Sequence, residues 1–245
     1  VNILRIAIAS LALCSAAHAQ TYPAKPVKII VPYPPGAITD ALPRLVADHM
    51  RDEWNQPVLV ENRPGANGRI GTEAVARSAP DGYTLAVGIV DTMVTAPYLV
   101  KNMPYDPARD FTPITILAQQ SYVLVARNDL PVAGIPDLVR AAKASPGKLR
   151  FGSWGPGSGA HLSMEMLKSA GGLDLEHIPY KGSAAMTLGI LGGEIDVTFT
   201  GYSAILPHLK AGKLKVLGVA SLARMPLTPE VPTIAEAGFP SFQVQ

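Results

Sequence analysis

Four glycines fall within eight residues between Gly152 and Gly159, and the stretch runs on through Pro156-Gly157-Ser158-Gly159-Ala160-His161 into Leu162-Ser163-Met164-Glu165-Met166-Leu167. Glycines at this density let a chain take positive φ and turn several N–H groups toward one point, which is how backbone holds an anion. A helix starting near Ser158 to His161, with Leu162, Met166 and Ser169 on one face, adds the positive end of its dipole. The chemistry on offer is capture of an anion by amides. An ordinary flexible strand-to-helix loop is the alternative.

A second stretch of this kind is Pro34-Pro35-Gly36-Ala37-Ile38-Thr39-Asp40, followed by Leu42, Leu45, Val46, His49 and Met50 at helical spacing. Thr39 or Asp40 is a suitable N-cap, and Pro43 predicts a helix that begins later than such a cap implies. Asp91 follows an apolar run, Tyr83 to Val90, at the strand end where open α/β sheets place ligands; a structural turn is the other reading. Lys181 offers a positive charge or is simply solvated, His161 caps, packs or touches ligand, and Trp154 reads as packing. Catalytic motifs are missing. Pro156 stands two residues before Ser158, which excludes a Gly-x-Ser-x-Gly elbow, and Gly157-Ser158-Gly159 lacks the lysine of a phosphate loop. His161 and Glu165 have no second histidine beside them for zinc, and nothing brings Asp40, His161 and Ser158 together as a triad.

These loops need a scaffold. The chain has 245 residues, 48% of them hydrophobic, which suffices for one large domain or two of about 100 residues each. A formal charge of +2 with scattered Lys and Arg argues against nucleic acid and against a polybasic membrane patch. Arg5, the apolar run Ile6 to Cys14 and Ala17-His18-Ala19 read as a secretory signal cut before Gln20. The run is too short to span a bilayer, and Leu13 ahead of Cys14 argues against lipidation. Cleavage would leave no cysteine, so neither disulfides nor thiolate chemistry are expected.

Val27–Val31, Val58–Val60 and Tyr83–Val90 read as strands, with a helix from Ile70 to Ser78 and a shorter one from Thr95 to Val100, so the first part is a parallel sheet with crossover helices. Ile114–Leu117 and Tyr122–Ala126 are further strand-like runs, joined by the polar Ala118-Gln119-Gln120-Ser121, a candidate crossover between domains. Then follow a helix Ile135–Ala144, the glycine-rich stretch, a helix Ala184–Leu191 stopped by Gly192-Gly193, a strand Ile195–Thr200, a helix Ala204–Lys210 and a strand Leu214–Ala220.

Several spaced segments carry a family likeness: Tyr22-Pro-Ala-Lys-Pro-Val-Lys-Ile-Ile-Val-Pro32, Pro35-Gly36 with Thr39-Asp40, Val60-Glu-Asn62-Arg63-Pro64-Gly65, Pro80-Asp81-Gly82-Tyr83, Pro104-Tyr105-Asp106-Pro107, Gly157-Ser158-Gly159 with His161, Tyr180-Lys181-Gly182, Leu191-Gly-Gly193-Glu-Ile-Asp196 and Val231-Pro232-Thr233. From about Tyr22 onward the chain resembles the solute-binding proteins of tripartite tricarboxylate transporters, the Bug or TctC-like family. The resemblance implies an α/β, two-lobed type II periplasmic binding protein, each lobe a sheet flanked by helices, closing on a small carboxylate and presenting it to the membrane subunits of a transporter. A sensor handing the liganded form to a two-component kinase is the alternative.

On that footing residues 1–19 are a signal peptide, 20–120 with 221–245 form a discontinuous first lobe, and 121–220 form the second; the chain reads as C-terminally truncated against the family's length. One jaw is Pro35, Gly36, Ala37, Ile38, Thr39 and Asp40. The other is Gly157, Ser158, Gly159, Ala160 and His161, with Asp91, Lys181 and Thr200 as additional contacts. No cofactor, metal or nucleic acid is expected, and the protein is expected to be a monomer in the periplasm. Two departures bear on the site: Ala37 replaces the second glycine the family usually carries after the proline, and Thr200 stands where Asp, Asn or Gly is common, which argues against a fixed acidic contact to a ligand amine.

Overall fold

The computed structural model describes residues 21–119 and 121–244; the signal segment therefore lies outside the described residues. The run Val27–Val31 (β1) is rich in β-branched residues and flanked by prolines, and it forms the buried centre of a three-stranded parallel sheet. Its neighbours are β2 (Val58–Asn62) and β3 (Thr84–Ala86), in the order β2-β1-β3. Helices α1 (Ile38–Trp54) and α2 (Arg69–Ala76) make the two crossovers. Val27, Ile29, Val31, Ala47, Val58 and Val87 close the smaller core between sheet and helices.

Three expectations in this half are corrected. Helix α1 starts at Ile38, earlier than a Thr39 or Asp40 cap implies rather than later, and its cap position is Ala37, without a side-chain bond. Pro43 lacks only the N–H that Thr39 C=O would accept, and its ring is buried, so packing offsets the lost bond. The strand at 83–90 keeps only Thr84–Ala86; after the Val87 N–H bond to Ile30 O (3.0 Å) the chain turns into a π-helical turn, Asp91–Thr95, that leads into α3 (Ala96–Leu99). Ile114–Leu117 is not a strand: no neighbouring strand pairs with it among the described residues, and Ile114 and Ile116 are exposed.

The second half carries a five-stranded mixed sheet in the order β6-β5-β7-β4-β8, built from β4 (Tyr122–Arg127), β5 (Arg150–Ser153), β6 (Glu176–Pro179), β7 (Val197–Gly201) and β8 (Leu214–Val219). β5 runs parallel to β6 and β7, whereas β4 is antiparallel to β7 and β8. Helices α4 (Ile135–Ala144), α5 (Gly159–Gly171), α6 (Ser183–Leu191) and α7 (Tyr202–Lys210) connect them. Phe151, Phe199, Leu124, Met164, Leu167, Met186 and Ile190 fill the larger core. On α5 the buried face is Ala160, Ser163, Met164 and Leu167, so Met166 points outward.

The tail also departs from expectation. Assigned to the first lobe with 221–245, it instead lies on the larger sheet: Thr233 bridges Val219, Val244 N–H bonds Ala220 O at 2.9 Å, and Phe242 stacks on Phe199 at 5.7 Å between centroids. Its apolar Ile234 and Phe242 find their burial in the larger core. No described helix is long and apolar enough to cross a membrane, and no described group of His, Cys, Asp or Glu could hold a metal ion.

Candidate functional site

Parallel strands deliver their C-terminal ends to one side of each sheet, and here those ends face each other. The loop after β1 carries Tyr33 to Ala37, and the loop after β2 carries Asn67. From the other lobe come the loops after β5 (Trp154 to Ser158) and after β6 (Tyr180 to Gly182). They touch. A Cβ built on Gly182 would lie 3.5 Å from Pro34 Cδ, and one on Gly155 would lie 3.0 Å from Asn67 Oδ1.

The glycine-rich stretch has the expected geometry, with Gly155 at φ 141° and Gly157 at φ 78°, conformations that a side chain rarely adopts. Its amides, however, are mostly committed within the protein. Gly155 N–H donates to Ser153 Oγ (3.2 Å), Gly157 N–H to His161 Nδ1 (3.0 Å) and Ser158 N–H to Gly155 O (3.1 Å). Ser158 is a true N-cap, its Oγ accepting the His161 N–H at 3.4 Å. The first amide of α5, that of Gly159, donates to Asp91 Oδ1 at 3.0 Å. The cradle therefore does hold a carboxylate, supplied by the other lobe.

Asp91 is 4% exposed, and its second oxygen accepts from Tyr33 Oη and Trp154 Nε1, each at 2.8 Å. Burial raises its pKa above the ordinary carboxylate value, and the three donors pull it part of the way back. Burial also raises the Tyr33 hydroxyl, with the Asp91 charge adding to it, so the phenol stays a donor. Tyr33 and Asn67 are not among the site residues expected from sequence, where Asn67 is only a turn residue; Trp154 packs edge-on against Tyr122 at 5.7 Å as expected, but its indole N–H is a cross-lobe donor. Gly159 must be glycine for a different reason from the one its motif suggests, since a Cβ there would sit 2.8 Å from Tyr122 Oη.

The opposite jaw is arranged otherwise. Asp40 is buried, and its oxygens are taken by Arg44, by Asn62 Nδ2 (2.9 Å) and by Gly36 N–H (3.3 Å), which stiffens the loop from within. Arg44 is the first cause of its lowered pKa, and the Asn62 and Gly36 bonds add to it. With Asp40 and Ala41 N–H both bonded to Ala37 O, the Ile38 and Thr39 amides are the ones at the start of α1 without an acceptor among the described residues. Gly36 sits at φ 100°, half-buried Ala37 is extended, and Pro35 is exposed.

Lys181 is exposed in the loop before α6, and Thr200 is buried in β7 opposite Val123. His161 lies on α5 with its ring stacked on His177 at 4.2 Å, and His177 Nε2 is 2.7 Å from Ser153 Oγ. Both rings are held neutral by burial; His177, also repelled by His161, is pushed down to about 4. His161 thus braces the loop through Gly157. An interlobe groove of about 460 Å³ runs beside these contacts, lined among others by Arg69, Asp91, Thr95, Leu99 and Leu162.

The model of the tripartite tricarboxylate transporter family receptor matches residues 42–245. The chain is 37% identical to protein BugT of Bordetella pertussis over 241 residues, 98% of this chain and 74% of that one. Among solved structures it is similar to R. palustris Rpa4515 with adipate (TM-score 0.87, 35% identity, 91% of this chain and 75% of that one). It is also similar to MatC from Rhodopseudomonas palustris with bound malate (TM-score 0.85, 32% identity, 91% and 76%). The two sheets flanked by helices are the two lobes of a periplasmic binding protein, and the family is one of receptors rather than enzymes. By sequence and by fold the chain belongs to the receptor family of the tripartite tricarboxylate transporters.

Proposed function

We propose that the protein is a periplasmic solute-binding receptor that captures a small carboxylate between its lobes and presents it to the membrane subunits of a tripartite tricarboxylate-type transporter. The observation that carries this reading is the Asp91 contact: the facing surfaces hold a buried carboxylate with neutral donors, a phenol, an indole and a helix-start amide, and without a guanidinium. Amides bonded to an ionised acceptor give shorter and roughly twofold stronger bonds than neutral pairs, so a few such groups suffice for micromolar binding. The ligand's carboxylate is assigned to the Ile38 and Thr39 amides of α1 and to the first amides of α6, whose preceding loops meet at Pro34 and Gly182. Gly36, Ala37 and Lys181 border that place. Adipate and malate in the related structures fit the same chemistry. Residues 21–119 form the first lobe in this reading, and 121–220 with the tail form the second.

A panel of mono-, di- and tricarboxylates in a thermal-shift assay tests the proposal. At a ligand concentration about 100 times Kd, stabilisation is about 2.7 kcal/mol, which for a protein of this size raises Tm by about 5–10 °C. A panel that leaves Tm unchanged at millimolar concentration overturns it.

A further inference from the structure

Asp91 is costly where it stands. It is 4% exposed, it makes no ion pair among the described residues, and burial outweighs its three hydrogen bonds in setting its protonation. A carboxylate serving only the π-helical turn that it opens would be better placed in water. Its bonds do not serve that turn. One goes to Tyr33 of its own lobe, and the other two go to Trp154 and Gly159, 63 and 68 residues away on the other lobe. Polar contacts of the same direction flank it: Thr95 Oγ1 to Gly157 O at 3.3 Å and Asn67 Nδ2 to Pro156 O at 3.5 Å, with the Asn67 amide also within 2.8 Å of Tyr33 Oη.

We propose that Asp91 is a built-in counter-ligand: its carboxylate seats on the first amide of α5 and latches the two lobes in the closed arrangement, leaving the ends of α1 and α6 to the incoming ligand. The second half of this statement rests on the carboxylate-capture reading above; the latch itself rests on the contacts. Two consequences follow from thermodynamics. A latch present in the closed form with and without ligand raises the closed population of the free protein, and apparent affinity scales with the fraction in the binding-competent form. The same latch must open to admit ligand, so it slows association. Asp91 is thus a positioning residue, and breaking it moves affinity and on-rate in opposite senses.

The substitution Asp91→Asn keeps the size of the side chain but turns an NH2 group toward at least one of three donors. Spin labels on α1 (Asp52→Cys) and α4 (Lys143→Cys), both exposed positions on different lobes, report interlobe distance in the ligand-free protein. The wild-type background should give one distance, and Asp91→Asn should add a longer one, with the open-to-closed ratio raised about tenfold. Trp154→Phe, which removes the indole N–H while keeping a ring against Tyr122, should shift the ratio the same way by less. Stopped-flow binding of adipate or malate should then show faster association and weaker affinity in Asp91→Asn. Superimposable distance distributions for wild type and Asp91→Asn, with both folded by circular dichroism, overturn the latch; so does an unchanged on-rate. If wild type binds no carboxylate, the capture reading fails while the ligand-free distances still decide the latch.

Discussion

Replacing Asp40 by alanine removes a side chain whose carboxylate braces the first jaw from within. The residue is 6% exposed, and its carboxylate accepts from Arg44 Nε (3.0 Å), Arg44 Nη2 (2.8 Å), Asn62 Nδ2 (2.9 Å) and Gly36 N–H (3.3 Å). The Arg44 side chain is 46% exposed, so water replaces most of what it loses and its share is small. Asn62 Nδ2 keeps a second acceptor, Tyr33 O at 2.9 Å, and is not orphaned. The remaining bonds, each worth about 1 kcal/mol, and the favourable position of a carboxylate in the first turn of α1 give a loss of about 2–3 kcal/mol. That lowers Tm by about 5–10 °C in a protein of this size, and urea unfolding with an unchanged m-value measures it directly. The difference also has a pH signature. Its donors hold Asp40 below its ordinary value of 3.8, so the stabilisation is complete above that value and is lost as pH falls through the depressed one. The gap between wild type and Asp40→Ala should be flat from neutral pH down to about 5 and should narrow below about 4. A gap under about 0.5 kcal/mol at neutral pH, or one that widens in acid, refutes the brace.

Histidine supplies a second pH test. His177 is held neutral with its pKa pushed down to about 4, below the unfolded value, so the stability it contributes is present above about 6.5 and is lost as pH falls toward 4; in His177→Gln the Tm-against-pH profile should be flatter across that window than in wild type. Gly189→Ala sets helix propensity against space. Alanine gains up to about 1 kcal/mol inside α6, but its Cβ would lie 2.2 Å from Tyr180 Oη and 2.4 Å from Tyr180 Cζ, so the ring must move and its 2.8 Å bond to Glu194 is disturbed. The expected outcome is a net loss of about 1–2 kcal/mol in urea unfolding and weaker carboxylate binding, because Tyr180 begins the loop that meets Pro34. A stabilised Gly189→Ala protein would show that the ring yields freely.

Much of the scaffold was legible because it is local. β1 at Val27–Val31 and α4 at Ile135–Ala144 follow from a proline-bounded β-branched run and from apolar spacing after Pro136-Asp137, and both appear with the expected bounds. Apolar content alone misled at Ile114–Leu117, where a β-rich run lacks a neighbouring strand. The tail, whose burial depends on which sheet offers an uncovered edge, could not be assigned from its own residues either. In the site, glycine marked the turns correctly at Gly36, Gly155 and Gly157, all at positive φ. What glycine could not reveal was which amides were already spent. Asp91 and Gly159 are 68 residues apart, and no periodicity joins them.

Helix ends supply the remaining argument for where ligand charge goes. Helices α1, α5 and α6 are among those that begin in loops at the meeting of the lobes, and each start carries partial positive charge. At α5 it is met by Asp91, so that end is satisfied. At α1 the carboxylate of Asp40 lies in the first turn, but Arg44 is paired with it, and the two charges largely cancel. At α6 the first turn has no acidic residue, and exposed Lys181 precedes it. On the proposed reading an arriving carboxylate therefore goes to the starts of α6 and α1, across the Pro34–Gly182 contact, and not to the glycine-rich turn, where the α5 start already meets Asp91.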